Sequence, residues 1–153
     1  MSVIQQFFKE HGISEVEAII PDMAGVPRGK IMPVAKFAEE EGMRLPESVF
    51  LQTVTGEYPD EERAISPSEI DVVLKADPNT IRVVPWAAEP TAQVIHDSFY
   101  SDGRPVTMAP RYVLQHVLAY LNRSHLYQAQ QRERSEEEPE HHSAPDAGSD
   151  AEP

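Results

Sequence analysis

The chain has 153 residues, of which 40% are hydrophobic and 25% charged, enough for one ordinary domain with a real core. A formal net charge of -13 speaks against nucleic acid and anionic membrane surfaces as partners, and the lack of cysteine excludes a disulfide framework or a thiolate zinc site. The opening MSVIQQFFKEHG is too short and too polar for a secretory signal, and no apolar run approaches spanning length, so a cytoplasmic location is expected.

Ser2 suits the N-cap of a first helix, with Gln5 completing a capping box. Val3, Ile4, Phe7 and Phe8 form its apolar stripe, and Gly12 stops it. EVEAIIPD alternates as a strand with Val16, Ala18 and Ile20 on one face. Gly25, Pro27 and Gly29 supply turn chemistry and RGKIMPV returns, so residues 15–34 are expected to form a hairpin. VAKFAEEEG reads as a short helix ending at Gly42, and ESVFLQT as a third strand. YPDEERAISPSE is an acidic, proline-bearing loop. DVVLKAD, TIRVVPW and TAQVIHDSF are three more strand candidates. Pro110 suits the first turn of a final helix, whose stripe would be Val113, Leu114, Val117, Leu118 and Leu121. The order helix, two strands, helix, about four strands, helix predicts an α+β class, a mixed sheet with helices packed on one face. The predicted domain is 1–122. Residues 123–153, ending in EEEPEHHSAPDAGSDAEP, are expected to be a disordered acidic tail.

The chemistry-bearing patterns are sparse. GVPRGK (residues 25–30) has the glycines and lysine of a phosphate loop but not the GxxxxGK[ST] spacing, and a strand follows it, so a hairpin turn is the better reading. His96 and Asp97 are neighbours on a strand and point to opposite faces, which speaks against a shared metal. His141 and His142 fall in the expected tail. No GxSxG or cysteine marks a nucleophile. Trp86, between two expected strands, is read as a packing residue rather than a stacking platform.

Taken together, three stretches resemble the glutamine synthetase family. IIPDMAGVPRGKIMPVAKF is similar to its first hairpin, where an Asp opens a turn and a GxxRGK strand follows. IDVVLKADPNTIRVVPWAAEPTAQVIHD and DGRPVTMAPRYVLQHVLAY resemble the region that follows and the entry to the next helix. The resemblance covers residues 3–121 and implies the family's N-terminal β-grasp domain. It also implies an ATP-dependent ligase that joins glutamate to ammonia or another amine, with Mg2+ or Mn2+ serving the phosphates. The resemblance carries over no catalytic, cofactor or metal residue, because the family's catalytic residues belong to a C-terminal domain. The chain is therefore expected to be truncated before that domain, as a frameshift would leave it, and inactive alone. The alternative expectation is a stand-alone β-grasp interaction or regulatory module that binds a protein partner.

In the family a loop of the N-terminal domain completes a neighbouring subunit's active site, and ammonia-using members read FDGSSI there. Aligned on the Phe, this chain reads Phe50-Leu51-Gln52-Thr53-Val54-Thr55, with Leu51 in place of the Asp and Val54 in place of the second Ser. The resemblance thus marks Thr53, Thr55, Glu57 and Tyr58 as substrate-loop candidates. Together with an insertion around residues 58–64, it points to a γ-glutamylpolyamine- or γ-glutamylputrescine-type member. The implied partners are further copies of the chain or family catalytic subunits.

Overall fold

The structure is a computed structural model that describes residues 2–40, 42–58 and 70–137. Helix α1 spans Val3–Glu10. Ser2 caps it, its hydroxyl accepting from the Gln5 N–H while the Gln5 side chain accepts from the Ser2 N–H. His11 ends the helix and Gly12 turns the chain away at φ 61°.

Strands β1 (Glu15–Pro21) and β2 (Pro27–Pro33) form the expected antiparallel hairpin. Helix α2 (Val34–Glu40) leads to β3 (Gly42–Pro46), followed by β4 (Asp71–Ala76), the short β5 (Arg82–Val83) and β6 (Thr91–Phe99). The sheet order is β2-β1-β6-β4-β3, with β5 also paired to β6. β6 is parallel to β1 through Thr91–Ile95 and antiparallel to β4 from His96 to Phe99, so it changes neighbour midway. The sheet is mixed and the class is α+β, as expected.

Alternation puts Val16, Ala18 and Ile20 of β1, Ala92 and Val94 of β6, and Val72 and Leu74 of β4 into one core. Phe8 of α1 and Phe37 of α2 cover that face edge to face, their ring centroids 5.7 Å apart. The opposite face carries polar links: Gln93 accepts from Arg82 and donates to Glu17. Gly29 is required where β2 crosses Ile19, because a Cβ there would lie 1.9 Å from the Ala18 carbonyl oxygen.

Several local expectations are corrected. ESVFL is a 3-10 turn (Glu47–Leu51), not a strand. Ser48, Val49 and Phe50 are buried in succession, which a strand's alternation does not allow. The third strand is the preceding GMRLP, which pairs with β4 and alternates from Met43 to Leu45. TIRVVPW yields only β5, because Asp77 caps a 3-10 turn over Pro78–Thr80 and residues 84–87 form another turn. Trp86, in that second turn, is 75% exposed rather than packed.

Helix α3 begins at Pro110 as expected but runs to Glu137. Residues 123–137 thus lie beyond the expected end of the domain and are helical: Gln, Arg and Glu are good helix formers, and no proline interrupts them. The chain divides into two compact units, 1–116 and 117–153, within this helix. Its stripe is not core. Val113 and Leu114 in the first unit are exposed, as are Val117, Leu118 and Leu121 in the second. The acidic loop at 59–69 and the His141–His142 pair lie outside the described residues. Among the described residues no helix is long and apolar enough to cross a membrane.

Candidate functional site

The resemblance singled out Thr53, Thr55, Glu57 and Tyr58, and the structure brings the first three into one hydrogen-bonded turn. The anchor precedes it: Phe50 is fully buried, and Glu47 at the start of the 3-10 turn accepts from the Tyr100 hydroxyl at 2.6 Å. That hydrogen bond, together with burial, raises the Tyr100 pKa, because losing the proton would leave two oxyanions facing each other.

From this anchor the chain emerges at Thr53. The Thr53 N–H donates to the Glu57 carbonyl at 2.8 Å, and the Gly56 N–H donates to the Thr53 carbonyl at 2.9 Å. Gly56 takes φ 87°, a left-handed conformation that suits glycine. The side chains continue the network. The Thr53 hydroxyl accepts from the Glu57 N–H at 3.1 Å and lies 3.0 Å from the Thr55 hydroxyl, which donates to Glu57 Oε2 at 3.4 Å. Thr53, Thr55 and Glu57 remain exposed, as do Val54 and Tyr58 beside them. The loop therefore presents two hydroxyls, a carboxylate and an aromatic ring on a fixed main chain.

What fixes the main chain was not singled out in the sequence as part of any site. Arg28 of β2 donates through Nη2 to the Thr53 carbonyl at 2.8 Å and through Nε to Asp22 Oδ2 at 2.7 Å. Asp22 is buried in the β1–β2 turn, where its Oδ1 also accepts from the Val26 N–H at 2.8 Å. Burial alone would raise the Asp22 pKa, but the Arg28 guanidinium and the Val26 and Ala24 N–H groups outweigh it and hold the carboxyl below its ordinary range. The Met23 N–H donates to the Phe50 carbonyl, joining the same turn to the anchor. Lys30, two residues on, donates to the Arg44 carbonyl of β3 at 3.0 Å. GVPRGK is thus a hairpin, as read, and it also braces the loop across the sheet. The signal was present in the sequence as an Asp at the head of a turn with an Arg six residues on.

His96 sits elsewhere. It is 1% exposed, and neither ring nitrogen has a hydrogen-bond partner. Burial pushes its pKa down to about 4, opposed by the nearby Ile19 and Val94 backbone. Asp97 points the other way, as expected, and accepts from Arg111. A cavity of about 260 Å3 opens beside Phe8, Phe37, Ala76 and Pro78, but none of the loop residues lines it.

The described residues do not offer a metal-binding set: no three His, Cys, Asp or Glu groups converge.

No family model matches the chain. It is 31% identical over 128 residues to human Lengsin, covering 81% of this chain and 25% of that protein. It is 34% identical over 113 residues to glutamine synthetase of Pyrococcus horikoshii (strain ATCC 700860 / DSM 12428 / JCM 9974 / NBRC 100139 / OT-3), covering 72% of this chain and 22% of that one. Its fold matches the solved GmaS/ADP complex in conformation 1 with a TM-score of 0.63 and 25% identity, over 81% of this chain and 26% of that one. The chain thus spans about a quarter of the length of the relatives it matches.

Proposed function

We propose, from the likeness to glutamine synthetase, Lengsin and GmaS, that this chain serves as the N-terminal domain of an ATP-dependent glutamate–amine (γ-glutamyl) ligase of the glutamine synthetase family, lending the 53–58 loop to a neighbouring catalytic subunit. The observation that carries the reading is the loop itself: its main chain is pinned from a buried Asp–Arg pair, while Thr53, Thr55, Glu57 and Tyr58 stay exposed. A loop held rigid with its polar ends facing outward suits completing a site on another surface. ATP and Mg2+ or Mn2+ belong to the partner's catalytic centre in this reading. The partners are family catalytic subunits or further copies of the chain, in the nitrogen metabolism of the cytoplasm.

Two substitutions favour an organic amine over ammonia. Leu51 removes the carboxylate that would hold a bare ammonium ion, and Val54 replaces a serine hydroxyl with an apolar surface. A γ-glutamylpolyamine or γ-glutamylputrescine synthetase fits that loop.

The test is association and activity together. The purified chain alone should release no phosphate from ATP with glutamate, Mg2+ and an amine, and it should co-elute with a full-length family ligase. Robust release by the chain alone, or no association at micromolar concentrations, overturns the reading. Association with an unrelated protein instead would favour the interaction-module alternative.

A further inference from the structure

The GVPRGK segment forms the turn and second strand of the β1–β2 hairpin, and its geometry gives it a further task. Arg28 is the only side chain among the described residues seen to donate to the main chain of the 53–57 loop. It reaches the loop from β2, a strand separated from the loop by α2, β3 and the 3-10 turn in the chain. Its guanidinium is itself fixed: Nε is held by Asp22, whose other oxygen is held by the Val26 N–H. Nη1 lies on the loop side as well, 3.7 Å from where a Cβ on Gly56 would stand.

We infer that Asp22 and Arg28 are the positioning pair of the lent loop, setting where the hydroxyls of Thr53 and Thr55 and the Glu57 carboxylate stand without touching a substrate. The inference rests on the proposed function for what the loop does, but its own content is mechanical. One planar fork spans two acceptors, Asp22 Oδ2 and the Thr53 carbonyl, in a fixed orientation. A residue that only neutralised Asp22 would not need the second contact.

Lysine separates these roles. Arg28→Lys keeps the positive charge for Asp22 but has a single nitrogen, so it cannot hold Asp22 and occupy the Nη2 position as well. Hydrogen exchange of the Thr53, Gly56 and Glu57 amides, all hydrogen-bonded within the loop, reports the loop directly. Exchange at Leu74 and Val94, in the sheet, reports the fold.

In the full chain, Arg28→Lys is expected to speed loop exchange by about tenfold or more with the sheet amides unchanged, whereas Arg28→Gln, which also leaves the buried Asp22 without its counter-ion, speeds exchange in both loop and sheet. Loop protection restored to the wild-type value by lysine would overturn the inference, since the pair would then act only as a buried ion and its counter-ion. Unchanged loop exchange in both variants would overturn it too, as would equal loss of protection in loop and sheet in the lysine variant. Failure of the proposed function shows separately: the loop would respond as described, yet the wild-type chain would bind no family ligase.

Discussion

Lowering the pH from 7 to 5 should weaken this domain through His96. The ring is buried against Phe37, whose centroid is 5.8 Å away, and both nitrogens lack hydrogen-bond partners. Its pKa is about 4 in the fold against 6.5 for the ordinary side chain. Between those values the unfolded chain binds a proton that the folded chain refuses, so stability falls as pH falls. The full effect, spread over the window from 6.5 down to 4, is about 3 kcal/mol, and roughly 2 kcal/mol of it is lost between pH 7 and 5. For a domain of this size that corresponds to a fall in Tm of about 10 °C. The nearby Ile19 and Val94 backbone favours the protonated ring but does not offset the burial. Phe37 is uncharged, and Ala76 is the cross-strand neighbour. Asp97 favours the protonated ring and Arg111 opposes it, and the two are ion-paired with each other. Asp22 and Asp77 have lowered pKa values, so their contributions are lost only below this window. His11, His116 and His125 are exposed. The assay is thermal denaturation at pH 7 and pH 5 for the wild type and His96→Leu. The variant should keep its Tm far better across that change. Equal losses in the two proteins would refute the reasoning.

Other outcomes follow from single contacts. Gly29→Ala places a Cβ against the Ala18 carbonyl and should cost about 3 kcal/mol or more in a denaturant titration, or prevent folding. Asp22→Ala leaves Arg28 without its buried partner and should destabilise by about 3 kcal/mol, read by the same titration. Trp86 is the single tryptophan and is 75% exposed, so fluorescence of the isolated chain should show a water-exposed indole. Trp86→Ala should change stability by no more than about 0.5 kcal/mol, and a buried-type spectrum would contradict the placement.

The parts legible in the sequence were those fixed by local chemistry. The Ser2–Gln5 box, the β1–β2 hairpin and the alternation of β6 each announce themselves through caps, turn residues or period. The misread parts depend on what the chain meets in space. Phe50 fills the core from a 3-10 turn because β3 had already supplied the strand beside β4, and no period within ESVFL reveals that. The stripe on α3 has the pattern of a core helix, but exposure depends on what packs against it, which periodicity does not carry. The loop residues came from a resemblance, and the geometry added their support. The β1–β2 hairpin pairs Asp22 with Arg28 locally, but Thr53, 25 residues on, meets Arg28 only in space, so the target of the brace is not legible along the chain.

In the proposed function this chain lends its 53–58 loop to the catalytic centre of another subunit. The most direct test mixes it with the catalytic portion of a family ligase that lacks its own N-terminal domain. Glutamate-dependent phosphate release from ATP would then be followed with ammonia, ethylamine and putrescine in turn. Release is expected only in the mixture, better with the organic amines than with ammonia, and lost when Thr55→Ala and Glu57→Gln are combined in this chain. Release by the chain alone, or a mixture no more active than the catalytic portion by itself, would contradict it.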